Sequence, residues 1–128
     1  MAFISLQHVG VLQATGGREG VLKPDLLESV VEKPVVSVGG DDAYSTLFLK
    51  VSAIGHGIAH GHVFNDGNKR TAIQVMTACL AWNGYKRRPN PNAVEVAILL
   101  VAAGFLGIDG LRLALLYAYG LDAANQDL

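Results

Sequence analysis

Apolar positions recur at helical spacing along most of the chain, and glycines and prolines mark where each run stops. Leu6, Val9 and Gln13 share one side of a first predicted helix, over about Ser5 to Ala14. Thr15-Gly16-Gly17-Arg18-Glu19-Gly20 breaks it, because three glycines in five residues do not sustain a helix. A short second helix opens at Pro24 and Asp25 and presents Leu26, Leu27, Val30 and Val31, and Pro34 stops it. Val35-Val36-Ser37-Val38 is β-branched and extended in character, closed by Gly39-Gly40. It reads as one isolated strand-like flap, with an edge open to an extended peptide. Asp41 or Asp42 then caps a longer helix, in which Tyr44, Leu47, Phe48, Val51, Ile54 and Ile58 follow i, i+3, i+4, i+7 spacing, to near Gly61. Asn68 to Asn83 is apolar nearly all round, which marks a central buried helix, and Gly84 closes it. Lys86 to Asn92 is a basic loop rich in Pro and Asn. Ala93 to Gly104 is another apolar helix, and Asp109 caps the last one, which runs through Leu111, Leu115, Ala118 and Tyr119 to Gly120. The sum is an all-α domain of about six helices with one short β-like flap.

Composition narrows the class. Residues 1–128 form a single domain by size, with 51% apolar and 16% charged residues. Such a chain is not disordered. Its longest apolar run, Ala97 to Ile108, is too short to span a membrane, for which about 20 residues are needed. The N-terminus lacks a basic signal-peptide start, so a soluble cytoplasmic domain is expected. The single cysteine, Cys79, sits among Ala78, Leu80 and Ala81 and reads as a buried, inert thiol. With a net charge of −1, bulk electrostatics does not recruit nucleic acid. The cations are unevenly spread: Lys69, Arg70, Lys86, Arg87 and Arg88 fall within twenty positions. That cluster suits a compact polyanion such as a nucleotide. Lys86-Arg87-Arg88 by itself reads as a solvated loop, and Trp82 and Tyr85 read as core packing.

The one dense polar stretch is His60-Gly61-His62-Val63-Phe64-Asn65-Asp66-Gly67-Asn68-Lys69-Arg70-Thr71, between two of the most apolar segments. His62 is, with His60, its neutral-pH proton acceptor, the type that serves as general base toward a hydroxyl. A lone carboxylate such as Asp66 beside phosphates commonly holds Mg²⁺. Gly67-Asn68-Lys69-Arg70 opens a helix, where N–H groups behind a glycine form an anion site, and Lys69 and Arg70 add charge. Singly, each residue also suits a capped helix start with solvated charges. Together, at this spacing, they point to phosphate chemistry.

His62 to Arg70 resembles the Fic/Doc motif, His-x-Phe-x-Asp/Glu-Gly-Asn-Gly/Lys-Arg. Lys69 at the eighth place is similar to the Doc (death-on-curing) branch. Gly16-Gly17, Leu26-Leu27-Glu28-Ser29, Pro34, Gly39-Gly40-Asp41 and Asn83-Gly84-Tyr85 extend the likeness over roughly residues 15 to 121. The resemblance implies a Fic-type helical bundle and nucleotide-dependent transfer to a protein hydroxyl. It implies His62 as general base and Asp66 as the Mg²⁺ ligand. Gly67, Asn68, Lys69 and Arg70 would hold the triphosphate of ATP, with Gln74 as the next polar side chain in reach. Val35, Val36, Ser37 and Val38 would be the target-binding flap. Doc toxins resemble Fic adenylyltransferases but bind ATP reversed, transfer the γ-phosphate to elongation factor Tu, and are silenced by a separate antitoxin. The expected partners are therefore a cognate antitoxin and an elongation factor Tu-like substrate, with no membrane and no direct nucleic acid.

The sequence departs from the longer Fic motif at Ile73, where that motif has a second arginine. This weakens AMP transfer, which stands as the alternative, together with a catalytically silent binding module. His60 stands where Doc-type toxins carry a basic residue, and its role stays open. Thr15 to Gly20 fits an inhibitory Fic helix literally, but two internal glycines cost about 2 kcal/mol there. The apolar excess is expected to include a groove for an antitoxin helix, bordered by the first and later helices.

Overall fold

The computed structural model describes residues 37–38, 41–42, 46–61, 67–122 and 128. The first two predicted helices, Val35 and Val36 lie outside the described residues. Four helices fall within them: α1 (Leu47–Gly61), α2 (Asn68–Trp82), α3 (Pro91–Ala102) and α4 (Ile108–Ala118). They are preceded by β1 (Ser37–Val38) and β2 (Asp41–Asp42), an antiparallel pair in which Ser37 faces Asp42 and Val38 faces Asp41. The expected all-α bundle with a short extended flap is therefore what forms.

Two details of that flap differ from expectation. Ser37–Val38 is not isolated, since β2 pairs with it. Asp41 and Asp42 belong to β2 and do not cap the next helix. The sequence between the strands is Gly39-Gly40, a pair that two-residue hairpin loops favour. The cap of α1 is Thr46, whose Oγ1 accepts from the Leu49 amide at 3.3 Å.

The expected hub also moves. Among the described elements α1 packs against α2, α3 and α4, whereas α2 meets α1 and α3. Small residues let α1 take this place. A Cβ on Gly55 would overlap the Met76 thioether, with Met76 Cγ only 2.7 Å away, so α1 and α2 touch almost backbone to side chain. α2 buries one face (Thr71, Ala72, Val75, Met76, Leu80) and leaves Gln74 exposed. Phe48, Ile58, Met76, Leu80, Ile98, Leu111, Leu115 and Leu116 are the largest fully buried side chains.

Helix ends follow local chemistry. Gly84 and Gly120 have positive φ (101° and 70°), as the sequence predicts for C-terminal glycines. The Gly84 turn returns the Tyr85 amide to Leu80 O at 2.9 Å and lays its ring edge-on against Phe48. Trp82 is left outward and 71% exposed, contrary to the expected core packing. α3 starts two residues early, because Pro91 takes the first helical position and Asn90 Oδ1 accepts from the Asn92 and Ala93 amides. α4 is capped by Gly107 without a side-chain bond, and Asp109 sits within its first turn.

The Ser52 and Thr71 hydroxyls are fully buried and lack a hydrogen-bond partner among the described residues. Ser52→Ala removes an unpaired hydroxyl and adds a better helix former. It is expected to stabilise the fold by about 1 kcal/mol in urea denaturation. A loss of stability would show that the hydroxyl is engaged.

Candidate functional site

α2 begins immediately after the polar stretch, and its start has the make-up of a site that could take an anion. Gly67 takes the N-cap position at φ 74° and ψ 16°, a left-handed conformation that glycine adopts freely. It makes no side-chain capping bond; its carbonyl accepts from the Thr71 amide at 2.9 Å. A first helical turn directs amides outward and carries partial positive charge. Lys69 and Arg70, in that turn, are exposed and have no ion-pair partner among the described residues.

Both cations line a cleft of about 640 Å³ between α2 and α3. Ile73 and Thr77 continue its α2 wall. The facing wall comes from the loop before α3 and from α3 itself: Arg88, Pro89, Pro91, Val94, Glu95, Ile98 and Leu99. An apolar floor with a few convergent charges is the usual make-up of a small-molecule site, and the volume is in the usual range. Three cations face one carboxylate there, so the cleft favours anions. The Thr77 hydroxyl is already committed, donating to Ile73 O at 2.9 Å.

Of the sequence-predicted site residues, Gly67, Asn68, Lys69 and Arg70 lie together at this helix start. Gln74 is exposed on the same helix but does not line the cleft, where Ile73 and Thr77 stand instead. His62 and Asp66 lie outside the described residues. Only backbone is described for Ser37 and Val38, in β1. His60, at the end of α1, is exposed and stacks on His56 with ring centroids 5.1 Å apart. Cys79 is half-buried, and loss of solvation pushes its thiol above the ordinary value, which keeps it in the unreactive protonated form.

A family model described as the Fic/DOC family matches residues 3–80, well over half of the chain. The chain belongs to the Fic/Doc family. Relatives point to its Doc branch. The chain is 39% identical over 71 residues to "Toxin Doc" of Mycolicibacterium smegmatis (strain ATCC 700084 / mc(2)155), a match covering 56% of this chain and 55% of that protein. It is 26% identical over 113 residues to "Protein kinase doc" of Escherichia phage P1, covering 88% of each.

Within this Fic/Doc chain, the family match ends at residue 80. The second wall of the cleft, from Arg88 onward, lies beyond it. Sequence reading assigned Arg88 to a solvated loop and did not single out Glu95, Ile98 or Leu99. The available signal was Pro89-Asn90-Pro91, which fixes where α3 starts and so which residues face α2. No helix among the described residues is long and apolar enough to cross a membrane.

Proposed function

We propose that this chain is a Doc-type toxin: a protein kinase that moves the γ-phosphate of ATP to a hydroxyl of an elongation factor Tu-like translation factor. The observation that carries this reading is Lys69. It is an exposed cation in the first turn of α2, beside Arg70, at the position where adenylyl-transferring Fic motifs carry glycine. It fills space next to the anion site and shifts positive charge within it. Ile73 supports the same reading, because the cleft wall is apolar where AMP transfer would use a second arginine. The similarity to a protein kinase doc adds support.

In this reading His62 accepts the proton of the target hydroxyl as its oxygen bonds to the γ-phosphorus. The bond from that phosphorus to the bridging oxygen breaks, and ADP leaves. The helix start at Gly67 and Asn68, with Lys69 and Arg70, binds the phosphates and neutralises the charge that develops on them. The donor set suits a polyphosphate, and Asp66 is the carboxylate that would hold Mg²⁺, which supplies further charge neutralisation when bound. Val35 to Val38 would align the target segment, an assignment to which the β1–β2 pairing lends an extended backbone. Exposed Leu113 and Tyr117 on α4, with Phe105 in the turn before it, offer apolar surface suited to an antitoxin helix.

Incubation with elongation factor Tu and γ-labelled ATP is expected to label the factor, and α-labelled ATP is expected to leave it unlabelled. Label from the α-position would replace this reading with AMP transfer.

A further inference from the structure

We infer that Arg88 is a phosphate-binding residue of this site, gripping the polyphosphate of a nucleoside triphosphate from the wall opposite Lys69 and Arg70. The inference rests on the reading above that the cleft takes such a ligand.

Three observations carry it. The first is placement. Arg88 belongs to a different element from the α2 start, yet both line one cleft. A helix start on its own attracts an anion from one side; a guanidinium across the cleft holds it from the other, with paired donors that match two phosphate oxygens.

The second is that the basic triplet is divided. Arg87 turns away toward the end of α4, where a Cβ on Gly120 would lie 3.2 Å from Arg87 Nη1. A cation is favourable beside a helix C-terminus. Arg88, the next residue, instead lines the cleft and has no ion-pair partner among the described residues. Among the described residues no carboxylate pairs with it, even though Glu95 lines the same cleft.

The third is rigidity. The Asn90 amide donates to Ala118 O at 2.8 Å, tying the loop to the end of α4. Asn90 also caps α3, and Pro89 and Pro91 each fix a backbone angle. Arg88 therefore projects from a backbone held from both sides, which lowers the entropy cost of using it. Ile73, Val94 and Ile98 give the cleft an apolar floor beneath these charges.

Calorimetric titration of the full chain with Mg-ATP, and separately with sodium tripolyphosphate, tests this. Arg88→Ala is expected to weaken both by roughly tenfold or more, with an unchanged melting temperature. It should also flatten the salt dependence of binding. Arg88→Lys should recover part of the affinity, since it restores the charge but not the fork. Arg87→Ala should bind as the unaltered chain does. Arg88→Ala binding both anions normally would overturn the inference while leaving the kinase reading intact. So would a chain that does not bind tripolyphosphate at all. Arg88-dependent binding of tripolyphosphate by a chain that ignores ATP would uphold the anion clamp and sink the kinase reading.

Discussion

Cells expressing the His62→Ala chain without an antitoxin should grow normally, whereas the unaltered chain should arrest them. In vitro, phosphoryl transfer should fall by roughly 10²- to 10⁴-fold, the usual contribution of a positioned general base. The expected pattern is specific. In the proposed mechanism His62 would act on the attacking hydroxyl, while the start of α2, with Lys69 and Arg70 untouched, would hold the phosphates. ATP affinity should therefore persist as turnover collapses, and calorimetry on the same preparation checks it. Loss of ATP binding together with activity would mean that His62 supports the anion site and not the hydroxyl. A His62→Ala chain as toxic as the original would point to a binding module without catalysis.

The largest expected effect on stability is at Phe48. Its ring is fully buried and meets Tyr85 edge-on at 5.0 Å and Tyr119 edge-on at 5.8 Å, both at 86°. One side chain thus joins α1 to the turn after α2 and to the end of α4. Phe48→Ala removes a large buried volume and two aromatic contacts, and should cost about 3–5 kcal/mol. That is a large share of the stability of about 5–15 kcal/mol typical of a domain. Equilibrium urea unfolding measures it, with Phe105→Ala as the comparison. Phe105 is 82% exposed, so its truncation should stay within about 0.5 kcal/mol. A Phe48→Ala loss below 1 kcal/mol would show that the neighbouring rings collapse into the space.

The site was partly legible in the sequence because its core is local. Gly67 to Arg70 are consecutive, and the start of a helix presents consecutive amides and charges to one ligand. The helical periods were legible for a similar reason: spacing of apolar residues reports a buried face directly. α1 shows this, with Phe48, Val51, Ile58 and Ala59 all buried. Local pattern misleads where a residue's fate depends on something distant. Asp41 and Asp42 looked like caps, but the partner strand claims them. Trp82 looked like core, but the Gly84 turn brings Tyr85 inward in its place.

The sequence by itself determined the family, the positions of the described helices to within a few residues, and the glycine-led, basic start of α2. Each of these depends on neighbours within one or two turns. Only the tertiary structure decided that α1, and not α2, is the hub among the described helices. That depends on Gly55, which has no Cβ to keep Met76 away. Only the tertiary structure, too, split the basic triplet, seating Arg87 against α4 and turning Arg88 into the cleft. Neighbouring residues with the same side chain acquire different surroundings once the Asn90 amide is tied to Ala118, and no local pattern encodes a contact across that distance.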